Sequence, residues 1–236
     1  MKKFLKNKNI GMTFLELVVV LGIFGAIAAT VLFNYGDFSA NVKLQNLAQD
    51  VALQIKKAQT DAVSGRNPTS DLSVTQSQNL ATLIPGDWTP SFGVAFTVGS
   101  GLWTGDGRAF IYYFNSSSDD DGNGFIYRDL WEFESGNYSS CGDMQDSECL
   151  QEINITSGDV VDLICFNFTD IPADGSCDGQ IGDRAYISFT RPRPNATIIY
   201  NDPGAPEGNV FVRITSPRSG GHKYISVWES GYISVK

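Results

Sequence analysis

The sequence predicts an α+β protein: a long N-terminal helix, apolar in its first half and amphipathic in its second, packed on a C-terminal antiparallel β-rich head. Three observations predict it. An apolar run of membrane-spanning length begins near the N-terminus, a helical pattern follows it with no proline between, and the rest of the chain consists of short alternating runs divided by turn residues.

Residues 1–11, MKKFLKNKNIG, form a basic head with Lys2, Lys3, Lys6 and Lys8. Residues 12–33 are almost wholly apolar, and about 20 residues at 1.5 Å rise cross a hydrocarbon core of roughly 30 Å. The lysines favour a cytoplasmic N-terminus, which puts everything after the span on the outer side. Glu16 interrupts the apolar run. A carboxylate in lipid costs roughly 2.5 kcal/mol or more near the bilayer centre and marks a functional position. A plain anchor has no use for it. A secretory signal would be cut near Ala26-Ile27-Ala28, yet the apolar run continues to Phe33.

Residues 34–67 carry Leu44, Leu47, Ala48, Val51, Ile55, Ala58 and Ala62 at three- and four-residue steps, the spacing of one buried helical face. Asn46, Gln49, Asp50, Lys57 and Asp61 are expected on the other side. Gly65 and Pro68 supply the stop signal. One helix from Met12 to Ser64 would be roughly 80 Å long at 1.5 Å per residue. Residues 34–39, with Gly36 and no strong helix former, are the expected place for a bend.

Residues 68–236 are read as the β-rich head. Strands are expected at 92–98, 109–114, 160–168, 184–190, 196–200, 209–215, 223–228 and 231–235. Gly105-Asp106-Gly107, Asp202-Pro203-Gly204 and Ser219-Gly220-Gly221 mark turns between them. With no helical pattern intervening, the sheets should be antiparallel.

The N-terminus resembles that of type IV prepilins, a family shared by pilins and the pseudopilins of type II secretion. Gly11, Thr13, Leu15, Glu16 and Leu17 fit its pattern, with Met12 in the place usually held by phenylalanine. The resemblance implies cleavage after Gly11 by a prepilin peptidase, methylation of the new N-terminus at Met12, and an assembly role for Glu16. It further implies that the apolar helix is first a single-pass inner-membrane anchor and then the filament core. The partners implied are other pilin or pseudopilin subunits and an inner-membrane assembly platform, with the head periplasmic or extracellular. Residues 44–66 are similar to the helix of H-type minor pseudopilins and FimT-like minor pilins, with Ala58, Asp61 and Ala62 matching an A-x-x-acid-A signature. The function expected is that of a minor pilin or pseudopilin. A DNA-uptake or adhesion-binding minor pilin and a major pilin are the alternatives.

The net charge is −9, and the four lysines of the basic head are among its few cations. Such a surface disfavours nucleic acid, which is bound through basic residues that release counterions. Arg213, Arg218, His222 and Lys223 are the one faint basic grouping. Cys141, Cys149, Cys165 and Cys177 all lie on the exported side, where disulfides form. Three connectivities are open. Cys141–Cys149 with Cys165–Cys177 closes the shortest loops, and zinc is disfavoured because no C-x-x-C occurs and His222 is the only histidine.

Asp119, Asp121 and Asn123 alternate before Gly124, as at the start of a calcium loop, and Phe125 would add a backbone carbonyl. Leu130 stands where such a loop carries its bidentate glutamate, so the competing reading is a solvated acidic turn. No nucleophile elbow, Walker loop or H-E-x-x-H motif is present, and an enzyme is not expected.

Overall fold

The computed structural model describes residues 12–67, 91–98, 107–115, 149–170, 177–200 and 208–236. The chain divides into two compact units, the first ending at Ala40 and the second running Asn41–Lys236.

Among the described residues a single helix, α1 (Phe14–Ser64), supplies the regular structure of the first unit and opens the second. Residues 34–39 are helical, within this one element. In the first unit its apolar side chains are exposed, from Phe14 and Leu15 to Leu32 and Phe33. This is the pattern of a helix that packs on something other than its own chain. The Thr30 hydroxyl inside the apolar run is satisfied locally, since Thr30 Oγ1 donates to Ala26 O at 2.9 Å. The helix is long and apolar enough to cross a membrane.

In the second unit α1 becomes amphipathic as the spacing predicts. Leu44, Ala48, Val51, Ile55, Ala58 and Ala62 are buried, with Leu47 half-buried beside them. The helix ends in a Schellman motif: Gly65 N donates to Ala62 O, Arg66 N donates to Asp61 O, and Gly65 takes φ +67°.

Among the described residues ten strands follow: β1 (Ser91–Thr97), β2 (Ala109–Asn115), β3 (Cys149–Asn154), β4 (Val160–Phe166), β5 (Gln180–Gly182), β6 (Arg184–Thr190), β7 (Ala196–Tyr200), β8 (Asn209–Thr215), β9 (His222–Trp228) and β10 (Ile233–Val235). They form two five-stranded sheets, ordered β3-β2-β1-β6-β7 and β10-β9-β8-β4-β5. Every pairing is antiparallel. The eight strands expected from the sequence are all present within a residue or two, and β3 and β5 are additional.

The core lies under the helical stripe. Phe92, Val94, Phe96, Phe110, Tyr112, Phe114, Ile187 and Phe189 reach it from the first sheet, and Ile164, Phe166, Val210, Val212, Ile225 and Val227 from the second. A bulge in β4 between Val161 and Leu163 shifts the alternation by one residue, so that Val161 and Ile164 both face the core. Sheet positions on the other face of β1 and β2, including Ala95, Ile111 and Tyr113, are buried as well. Gly93 leaves room for Tyr113, whose ring lies where a Cβ would stand.

Gln59, on the buried side of α1, ties both sheets to the helix. Its Nε2 donates to Pro194 O at 2.7 Å, in the β6–β7 turn, and to Gly231 O at 3.1 Å, in the β9–β10 turn. Gly231 has φ +80°, and a Cβ there would collide with Pro194 O and the Gln59 amide. Lys57 and Asp61, expected on the outward face, instead meet β2. The Lys57 ammonium lies 4.4 Å from the centre of the Tyr112 ring, and Asp61 Oδ2 accepts from Tyr112 OH at 2.5 Å and from Arg66 Nη1 at 2.6 Å.

Replacing Gln59 by leucine keeps the volume and strands two carbonyls at a buried position. We expect Gln59→Leu to lower stability by about 1–3 kcal/mol, seen as a lower urea midpoint by tryptophan fluorescence. An unchanged midpoint would show that the two turns do not depend on this amide.

Candidate functional site

The sequence directs attention to the start of α1. Met12 and Thr13 precede the helix and Phe14 is its first residue. Thr13 is its N-cap: Glu16 N donates to Thr13 Oγ1 at 3.2 Å, and Leu17 N closes the first helical turn on Thr13 O at 3.2 Å. Glu16 returns the bond, its Oε2 accepting Thr13 N at 3.0 Å and Thr13 Oγ1 at 3.2 Å. This is a reciprocal capping box, and T-F-L-E is its sequence form. Glu16, singled out in the sequence as a carboxylate within an apolar run, is thus also one half of a local cap. The box has an electrostatic reason too, since a negative charge in the first turn meets the positive end of the helix dipole.

Only one carboxylate oxygen is engaged in these bonds. The box therefore lowers the cost of holding Glu16 in an apolar run and leaves acceptor capacity for a further donor. Met12 is 68% exposed, so the residue expected to become the new N-terminus is accessible. Gly11 lies outside the described residues, as does the rest of the basic head.

In the second unit, Cys165 and Cys177 form a disulfide with Cα atoms 6.0 Å apart, the pairing that closes the short loop. Cys149 is also disulfide-bonded. Cys141 lies outside the described residues. So do Asp119, Asp121, Asn123 and Phe125 of the expected calcium loop. Among the described residues, no three His, Cys, Asp or Glu side chains converge as a metal site would require.

The basic grouping near the β8–β9 turn is diluted by pairing. Asp162 takes Arg213 through both Nε and Nη2, at 2.9 and 2.8 Å, and this raises the guanidinium above its ordinary value. His222 is exposed and sets its ring edge-on to Tyr224, with centroids 5.2 Å apart. Phe168, Phe211 and Tyr224 pack with Cys165 beneath them, so this outer face of the second sheet is a small satellite core.

Beside that disulfide, Asp178 Oδ2 accepts from Thr169 Oγ1 at 2.6 Å and from Thr169 N at 3.4 Å. The Thr169 hydroxyl is the main reason the Asp178 carboxyl is held below its ordinary value of 3.8, the effect being opposed by desolvation. Asn209 closes the same segment by a reciprocal pair with Phe168: Phe168 N donates to Asn209 Oδ1 at 2.9 Å and Asn209 Nδ2 donates to Phe168 O at 3.0 Å.

Comparison with known proteins finds no match to a family model, to a curated protein or to a solved structure.

The lowered Asp178 value has a sign for stability. A depressed carboxyl favours the folded state above its unfolded value, and that contribution disappears as pH falls through the lower folded value. Asp178 is exposed, so the effect is small. Asp178→Asn should therefore leave the low-pH end of the stability profile unchanged and reduce stability slightly near neutral pH. An unaltered profile across the whole range would separate Thr169–Asp178 from folding.

Proposed function

We propose that the chain is a structural subunit of a type IV-like filament, a minor pilin or pseudopilin. It enters the membrane as a prepilin, is cleaved after Gly11, and assembles by bundling of its N-terminal helix. One observation carries the reading: an all-round apolar, exposed helix that begins with a capped carboxylate and continues, without a break, into a stripe buried under sheets. A simple anchor explains the apolar surface but gives no role to Glu16. A soluble enzyme explains neither.

The physical sequence follows from these parts. The apolar half is stable in lipid because its backbone bonds are internal. Leaving lipid for a bundle costs little, because the helix exchanges one apolar environment for another. What fixes the axial position of one helix against the next must then be polar. Glu16 is the one ionisable group in residues 12–33 besides the new amine at Met12. With one oxygen held by Thr13, the carboxylate is oriented within its own helix, and its remaining acceptor sites are open to the Met12 amine of an arriving subunit. The α-amino group, with an ordinary value of about 7.7–8.0, is largely protonated near neutral pH.

Glu16→Val should leave cleavage after Gly11 intact and strongly reduce entry into filaments. Glu16→Gln, which keeps the cap acceptor but loses the charge, should also enter poorly. Mass spectrometry reads the cleavage, and crosslinking through a cysteine at Ile23 reads incorporation. Normal incorporation of both variants would remove the carboxylate from assembly.

A further inference from the structure

Four strands end the sheets among the described residues, β3 and β7 in the first sheet and β10 and β5 in the second. Strands β5 and β7 carry no charged residue, which leaves β10, bordered by Lys56, and β3, with Glu152, as the edges where charge can select a partner. In β10 the bonds Trp228 N to Tyr232 O, Tyr224 N to Lys236 O and Lys236 N to Tyr224 O fix which peptide groups face β9. By the antiparallel alternation, those of Ile233 and Val235 point away from the sheet. In β3 the bond Ile155 N to Arg108 O fixes the register in the same way, and the peptide groups of Glu152 and Asn154 point away. Each edge thus offers two peptide groups, two residues apart.

The β10 edge borders a groove of about 350 Å³ between itself and α1, lined by Gln49, Ala52, Leu53, Lys56, Ile233 and Val235. Leu53 is 64% exposed although it faces an apolar trough. Lys56 is the groove's one charged side chain, and its ammonium donates to Gln59 Oε1 without meeting a carboxylate among the described residues. Opposite residues of a strand pair share a face. A strand added to β10 would therefore turn the side chains opposite Ile233 and Val235 into this groove, toward Lys56 and Leu53.

Charge decides what that strand is. A two-fold pairing of β10 with β10 would place the groove-lining Lys56 of both copies on the same face of the joined sheet, and like charges across strands are unfavourable. The β3 edge has the opposite character: Glu152 is half-buried and meets no cation among the described residues. We propose that β10 of one copy pairs with β3 of a second copy, placing Glu152 in the α1–β10 groove against Lys56. Because the two surfaces differ, the contact is heterologous and repeats head to tail, which suits a filament and not a closed dimer. The inference rests on the filament reading above and gives it a contact between β-rich domains in addition to the helical one.

The test uses full-length chains in membranes, one carrying Lys56→Cys and the other Glu152→Cys, with a cysteine at Ile23 in separate chains as the readout of helical assembly. Among the described residues no native cysteine is free to compete. On mild oxidation the mixed Lys56→Cys and Glu152→Cys chains should give a covalent dimer, while neither chain alone should. In uncrosslinked chains Lys56→Glu should weaken head association and Glu152→Lys in the same chain should restore it. Dimers of Lys56→Cys alone would overturn the proposal in favour of two-fold pairing. Ile23 crosslinks without the mixed dimer would overturn it and leave the filament reading standing, and absence of both would overturn the two together.

Discussion

The small side chains on one stripe of α1 set the terms for the second unit. Ala48, Ala58 and Ala62 are wholly buried between the larger Leu44, Val51 and Ile55. Alanine lets the sheets come close to the helix backbone, and the branched residues fill the spaces between. Each fully buried branched side chain contributes about 1.5–3 kcal/mol. At this close approach a polar side chain has to be fully matched, which is the position Gln59 occupies. Its amide reaches the β6–β7 turn of one sheet and the β9–β10 turn of the other. Two sheets with no strand in common are thereby held to one helix by packing and by this carboxamide, with the Asp61–Tyr112 bond as a further tie to the first sheet.

The first unit obeys a different rule. Its side chains need no complementary surface from this chain, so composition matters more than shape. Within residues 12–33 the polar side chains are Thr13, Glu16 and Thr30, and the helix itself supplies their partners. The capping box changes the way Glu16 is understood. A lone carboxylate in lipid is a liability to be relieved by a partner. A carboxylate with one oxygen anchored to Thr13 is an oriented acceptor, and orientation is what an axial register requires.

Much of this was legible in the sequence because it depended on local periodicity. The buried stripe from Leu44 to Ala62, the Gly65 stop and eight of the ten strands follow from spacing alone. The exceptions have physical causes. Strand β3 reads CLQEIN, with no clean alternation, because a bulge opposite Tyr112 and Tyr113 breaks its register. Strand β5 has three residues, two of them exposed, and leaves almost no pattern. Lys57 and Asp61 looked like surface residues because long-range partners, unlike periodicity, are invisible in one sequence. The Thr13–Glu16 box was legible, since its four-residue pattern is local, but the resemblance to a known family drew attention to the carboxylate rather than to its neighbour. The Cys165–Cys177 pairing was favoured by loop length and is present, while the acidic loop at 119–124 lies outside the described residues.

The account turns on the apolar helix being a processed filament core and not a permanent anchor. The most direct measurement is the N-terminal mass of the mature protein isolated from its native membrane. The account predicts a chain that begins at Met12 with a methylated amine. A chain that still begins at Met1, or one that begins at Ala29 after a signal-peptide cut, would contradict it.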